Sequence, residues 1–75
     1  MFEWTGRETT DPETFSRVLQ AKVGGQSVSV YISREAVEDR GLDACKEIAE
    51  RKIADACVGG MPPKKVNVTT SDFGG

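Results

Sequence analysis

Residues 20–39 read QAKVGGQSVSVYISREAVED, and this stretch decides the fold. Apolar residues alternate with polar ones over 27–33, a period that predicts a strand with one buried face. Gly24 and Gly25, which precede that strand, can adopt the positive φ angles of a tight hairpin turn. Ser33, which follows it, can cap the first turn of a helix. The stretch therefore predicts a β-hairpin that leads directly into a helix.

The run before the diglycine, TFSRVLQAKV at 14–23, is compatible with two structures. A helix would have Asp11 as its N-cap and Pro12 at its first position. A strand would instead supply the pairing partner that the neighbouring strand at 26–33 requires. We therefore interpret 16–23 as the first strand of the hairpin.

A second pattern, ACKEIAERKIADAC, predicts the main helix at about 43–57. Asp43 offers an N-cap, and the diglycine after Cys57 ends the helix. A shorter helix is expected between Ser33 and Gly41. The apolar stripe of the main helix consists of Cys45, Ile48, Ala49, Ile53, Ala56 and Cys57.

The remaining segment VNVTT alternates again and predicts a last strand at 65–70. The sequence thus predicts one α+β domain over 1–75 in ββαβ order. Its small antiparallel sheet has three to four strands, including the hairpin 16–23/26–33, and packs on the one main helix.

The position of the last strand has two solutions. Beside 16–23 it completes an all-antiparallel sheet, whereas beside 26–33 it requires a parallel crossover. We favour the antiparallel order. Phe2 and Trp4 have the spacing of a short first strand, but fraying is expected within 1–13 and 71–75.

Composition narrows the classes of function. The 75 residues carry a net charge of −2 and include no histidine, the commonest general base and zinc ligand at neutral pH. We therefore expect no enzyme activity, no catalytic residues, no cofactor and no metal. No apolar run is long enough to span a bilayer, and Met1–Trp4 does not resemble a secretory signal, so we expect a cytoplasmic protein with no membrane partner.

The pattern AxVGGxxVxVxISREAVED at 21–39 resembles a bacterial family, the domain-of-unknown-function 1488 family. The resemblance covers about residues 15–73, because a longer helix with spaced isoleucine and alanine follows, and then a strand that ends near Asp72-Phe73. It implies a small α+β fold and no established activity. It supplies no catalytic residues that can be transferred to this chain.

We predict a non-enzymatic protein-interaction or regulatory domain. An open sheet face or an edge strand would bind a protein partner, and the aromatic and cationic residues are its best anchors. The candidates are Trp4, Tyr31, Lys64 and Lys65.

The carboxyl end supports an alternative. Ubiquitin-like proteins and small sulfur carriers resemble this chain in size, in the hairpin followed by a helix and in the final Gly74-Gly75. Glycine suits this position because an activating enzyme must thread the tail through a narrow channel before it adenylates the carboxylate. The sequence therefore allows a modifier that acts through Gly75.

Single-stranded nucleic-acid binding is a lesser alternative, since cations can contact phosphates while aromatic rings stack on bases. The cations are Arg17, Lys22, Lys64 and Lys65, and the rings are Trp4, Phe15 and Tyr31. The acidic composition of the chain argues against this function.

Cys45 is the better of the two cysteines as a candidate reactive thiol. It lies near the predicted start of the main helix and beside Lys46, and both features lower a thiol pKa. Core packing is nevertheless the favoured role, because free cysteine is among the most buried residue types.

Overall fold

A four-stranded sheet is covered on one face by two helices. The structure, a computed structural model, describes residues 2–57 and 59–74. The α+β class, the strands before the main helix and the final strand are all confirmed. In chain order the elements are β1 (Phe2–Thr10), β2 (Arg17–Val23), β3 (Gln26–Ile32), α1 (Arg34–Arg40), α2 (Leu42–Ala56), β4 (Lys65–Val68) and a 3-10 helix (Thr70–Phe73).

The predicted hairpin is formed by β2 and β3. The two strands are antiparallel, with pairs running from Arg17 and Ile32 to Val23 and Gln26. The two turn glycines that join them have φ angles of 56° and 85°. Positive φ at both central residues gives the turn a twist that matches the flanking strands. The interpretation of the ambiguous run before the diglycine as a strand is therefore correct.

The favoured strand order is wrong. The order is β1-β2-β3-β4, and β4 lies parallel to β3 instead of antiparallel to β2. The reason is that β1 pairs with β2 along the edge that the last strand was expected to occupy, and the last strand pairs with the edge of β3 instead. The two helices form the crossover between the parallel strands, and the sheet is mixed.

β1 extends much further than the short first strand expected, through most of the segment in which fraying was expected. It pairs with β2 at both ends, and the register shifts between Trp4 and Glu8. The three residues between them therefore lie opposite Gln20 alone. Gly6 in this bulge has a φ of 85°, and the Thr5 hydroxyl donates to the Gln20 carbonyl over 3.2 Å. Beyond the bulge, Glu8 forms an ion pair with Arg17.

One face of the sheet forms the core with the helices. Only part of the predicted stripe on α2 is buried: Ala56 is exposed, and Ile48 and Cys57 are half-buried. The buried row repeats every four residues, so it follows one side of the helix. Two members of that row are small, which lets the helix approach the sheet closely. The core cluster is Leu19, Val28, Val30, Ile32, Ala36, Cys45, Ala49, Ile53, Val66 and Val68.

The ends of the helices depend on Ser33 and Gly41. The Ser33 hydroxyl accepts the Ala36 N–H over 3.2 Å, as its predicted capping role requires. Gly41, at a φ of 87°, ends α1 and begins α2. Asp43 is not the N-cap that we expected, because it lies inside the first turn. Neither helix in the described residues has the length and apolar character needed to cross a membrane.

Candidate interaction surface

The strand pairing divides the sheet side chains between two faces. Directly paired residues in an antiparallel sheet point to the same side, and successive residues alternate. One side faces the helices. The other side has no covering element among residues 2–57 and 59–74, and we call it the open face. Its residues are Glu3, Thr9, Val18, Gln20, Lys22, Ser27, Ser29, Tyr31, Lys65 and Asn67.

Tyr31 and Lys65 make the clearest contact on the open face. The Lys65 ammonium lies 4.3 Å from the centre of the Tyr31 ring. The parallel register brings them together, because Lys65 pairs with Ser29, two residues before Tyr31 on β3. The ring is half-buried and Lys65 is exposed. Two of the four predicted interaction residues therefore form one cation–π unit, which joins β3 to the edge strand β4.

Apolar and hydrogen-bonding groups surround this unit. Val18 pairs with Tyr31 across β2 and β3 and is only 9% exposed, although it lies outside the core cluster. Next to it, the Gln20 amide donates to the Ser29 hydroxyl over 3.2 Å. Val18 extends the apolar surface of the Tyr31 ring, and the hydrogen bond fixes polar groups beside it.

A polar depression of about 410 Å³ opens where β1 bulges away from β2. It includes Arg7, which lies within the bulge itself. Two cations and one carboxylate therefore converge on this depression. Its lining residues are Glu3, Thr5, Arg7, Gln20, Lys22 and Ser27.

Charge is unevenly distributed between the two sides of the molecule. The open face and its depression carry three cations, Arg7, Lys22 and Lys65, against one carboxylate, Glu3. The helices α1 and α2 carry seven carboxylates and five cations. The open face is therefore positive in a chain whose net charge is −2.

Trp4 belongs to the opposite side. It pairs with Ala21 of the core face, and its indole N–H donates to a Glu50 carboxylate oxygen over 3.3 Å. The Phe2 ring packs edge-on against it at 5.1 Å, and the Lys46 ammonium lies 5.5 Å from the ring centre. Trp4 thus covers the edge of the core and does not join Tyr31.

The remaining predicted ligands for phosphates and bases are also dispersed. Lys64 precedes β4, and its carbonyl accepts the Ser29 N–H over 2.9 Å. Arg17 lies on the helix side in its ion pair with Glu8. Phe15 is in the loop between β1 and β2, 61% exposed and at a φ of 60°. Only Lys22, Lys65 and Tyr31 of that set share the open face.

The Cys45 thiol is buried in the core and is fully covered. Burial raises the pKa of this thiol, because the thiolate would lose its hydration. A raised pKa is the opposite of what a reactive thiol requires. Within the described residues, no group of three or more side chains has an arrangement suited to a metal ion.

The C-terminal segment is held against the helices. Asp72 accepts the Thr69 N–H over 2.8 Å and two bonds from the Lys52 ammonium. These contacts keep the pKa of Asp72 below its usual range, the Thr69 N–H most of all, against an opposing effect of partial burial. The Arg40 guanidinium lies 5.2 Å from the Phe73 ring centre. Gly74 ends the 3-10 helix at a φ of 68°, and Gly75 lies outside the described residues.

Sequence reasoning did not single out Val18 and Arg7 as surface residues. The sequence did indicate the position of Val18, because side chains alternate along a strand and Val18 therefore faces away from Leu19 and Ala21. Arg7 had no such signal, since the bulge breaks the alternation of β1.

Comparisons of the chain with protein-family models, with curated proteins and with solved structures find no match. The resemblance to the domain-of-unknown-function 1488 family therefore stays a prediction that rests on the residues quoted for it.

Proposed function

We propose that this chain is a non-enzymatic, cytoplasmic protein-interaction domain, of the small bacterial kind that the family resemblance implies, and that it binds its partner through the open face. The observation that carries the proposal is the uncovered sheet face with the Tyr31–Lys65 unit on it. Tyrosine is enriched among the residues that dominate binding energy in protein interfaces.

The geometry of the open face favours binding. β2 and β3 pair in unbroken register over seven residues each, so their side chains are held on a rigid support. The Tyr31 ring is already positioned by Val18 and Lys65, so little side-chain freedom remains to be lost on association. The apolar Val18–Tyr31 pair, with the Gln20–Ser29 hydrogen bond beside it, also combines the apolar and polar groups that protein interfaces use.

Cys45 and Asp72, the two groups within residues 2–57 and 59–74 whose pKa values are clearly shifted, have structural roles. The Cys45 thiol is enclosed by the core, and the Asp72 carboxylate is engaged by Thr69 and Lys52. Neither lies on the open face, so neither supports a catalytic function for that surface.

Site-specific photocrosslinking tests the proposal. We place p-benzoylphenylalanine at Tyr31 and, as a matched control, at Arg51 on the exposed side of α2, and irradiate cells of the source organism. We expect discrete crosslinked proteins from position 31 that excess unlabelled wild-type protein competes away, and none of these from position 51. Identical products from the two positions, or none from position 31, would overturn the proposal.

Single-stranded nucleic-acid binding is the second candidate, because a tyrosine and cations on an uncovered sheet are also what such proteins use. It predicts retention of an oligonucleotide that falls steeply as salt rises. Affinity unchanged by Lys65→Glu would exclude the open face as the binding surface.

A modifier or sulfur-carrier function would depend on Gly74 and Gly75. The residues just before them, 70–73, form a 3-10 helix attached to both helices, so this function would require Gly75 to enter an activating enzyme from an anchored segment. Incubation with an adenylating enzyme and ATP tests it by intact mass. A wild-type protein that behaves like one lacking Gly75 would exclude it.

A further inference from the structure

Resting on the proposed function, we infer that the partner segment bound by the open face is acidic and extended, with carboxylates that meet Lys65 at one end and Lys22 and Arg7 at the other.

Charge complementarity favours an acidic partner. The open face and its depression have three cations and one carboxylate, in a chain with more carboxylates than cations overall. An acidic partner would be attracted to this side and repelled by the helix side, where carboxylates are in excess. Such a charge distribution selects both the sign of the partner's charge and the orientation in which the partner binds.

The Lys65 ammonium already lies over the Tyr31 ring at 4.3 Å, so a nucleobase could stack on that face of the ring only by displacing the ammonium. A carboxylate has no such conflict, because it can contact the ammonium where it is. The cation–π contact also holds Lys65 in place, which lowers the entropy lost on binding an anion. The geometry therefore favours a carboxylate over a base.

The spacing of the cations matches the side-chain spacing of an extended peptide. Lys65 is in the same cross-strand row as Ser29 and Gln20, and Lys22 is two residues further along β2 than Gln20. Lys22 and Lys65 are thus two strand spacings apart across the sheet and one two-residue step apart along it. Their Cα atoms are therefore separated by about 12 Å. In an extended peptide, side chains four residues apart lie on the same side and are about 13 Å apart. Two carboxylates at that interval would match both cations.

A titration with defined peptides tests the inference. The probe is a nine-residue peptide of serine and threonine with two glutamates four residues apart, and the control peptide has glutamine at both positions. The amide spectrum of ¹⁵N-labelled protein reports where each binds. We expect the glutamate peptide to shift amides of β2, β3 and β4, and to bind at least about tenfold more tightly than the glutamine peptide.

Matched protein variants locate the effect. Lys65→Glu and Arg51→Glu change the net charge equally, but only the first lies on the open face. We expect Lys65→Glu to lower the affinity for the glutamate peptide at least about tenfold, and Arg51→Glu to lower it by less than about twofold. Amide dispersion like that of wild type confirms that each variant is folded. Equal weakening by the two variants would overturn the inference.

The remaining outcomes separate the two proposals. If the glutamate peptide causes no shifts on the open face while crosslinking at position 31 captures a specific protein, the acidic partner is wrong and the proposed function stands. If neither experiment finds binding at the open face, both are wrong. Tighter binding of a thymidine oligonucleotide than of the glutamate peptide at these strands would replace the acidic segment with nucleic acid.

Discussion

The Lys52 ammonium on α2 lies 3.0 and 3.1 Å from the two carboxylate oxygens of Asp72 in the C-terminal 3-10 helix. The same ammonium donates to the Asn67 carbonyl on β4. One lysine thus connects the main helix, the last strand and the segment that follows it. This connection stabilises the crossover without contributing to the apolar core.

Replacing Lys52 tests that connection. We expect Lys52→Met to lower the free energy of unfolding by about 1–2 kcal/mol, because three hydrogen bonds to a charged donor are lost. The measurement is urea denaturation at pH 7. Arg51→Met is the control, since Arg51 is exposed on the neighbouring position of the helix, and it should cost less than about 0.5 kcal/mol. Equal losses in both variants would mean that the Lys52 contacts contribute nothing specific.

Asp72 predicts a pH dependence. Its pKa is lower in the folded protein than in the unfolded chain, so the folded state favours the ionised form. The resulting stability is present above the unfolded pKa of about 3.9 and is lost as the pH falls through the lowered folded value. We expect the advantage of wild type over Asp72→Asn to shrink as the pH falls below about 5 and to disappear only below the lowered folded pKa. Urea midpoints that stay a constant distance apart over this range would contradict the prediction.

Ile53 and Ile48 provide a comparison within α2. Ile53 is 1% exposed in the core, whereas Ile48 is only half-buried. We expect Ile53→Ala to cost about 2–5 kcal/mol and Ile48→Ala clearly less, because less apolar surface and a smaller cavity are involved. Equal losses of unfolding free energy in the two variants would show that α2 is rotated about its axis, so that Ile48 and Ile53 are equally buried.

The thiols should differ in reactivity. Cys45 is fully covered and its pKa is raised, whereas Cys57 is half-buried. We expect a disulfide reagent to label Cys57 first under native conditions and to reach Cys45 only when the protein unfolds. The variants Cys45→Ala and Cys57→Ala assign the two phases. Fast native labelling of Cys57→Ala would mean that Cys45 is a reactive thiol after all.

Phe15 is held in a conformation that suits glycine. Its φ is 60°, and its ring is 61% exposed, so side-chain burial compensates little of the backbone strain. The loop is fixed by hydrogen bonds from the Phe15 N–H to the Asp11 carbonyl and from the Asp11 N–H to the Ser16 carbonyl.

The matched pair Phe15→Gly and Phe15→Ala isolates this strain. Both variants remove the ring, but only glycine relieves the positive φ, so we expect the glycine variant to be the more stable by about 1 kcal/mol. Thermal denaturation of both variants measures the difference. A more stable alanine variant would exclude backbone strain at this position.

The elements that could be predicted from the sequence were those determined by local chemistry. The diglycine turn and the Ser33 cap each depend on a few neighbouring residues, and both are present. The strand order depended on β1, whose alternation is interrupted by Thr5, Gly6 and Arg7. Only Phe2 and Trp4 indicated a first strand, and their spacing did not place it beside β2.

The candidate surface was predictable only in part, for the same reason. Tyr31 lies on a strand of regular alternation, so its face followed directly from the buried positions beside it. Trp4 lies on β1, and its face could be assigned only from its pairing with Ala21 across β2. Trp4 and Tyr31, which we named as separate candidate interaction residues, are therefore on opposite sides of the sheet.

The parallel pairing also determines the order in which the sheet can be completed. Ser29 pairs with Lys65 and Ile32 with Val68, so each partner is 36 positions further along the chain. The β2–β3 hairpin closes through two residues, and closing it costs far less chain entropy. While the ribosome is still synthesising residues before 65, the edge of β3 is without its partner strand. We expect misassembly between nascent chains to concentrate in that interval and to end when β4 emerges.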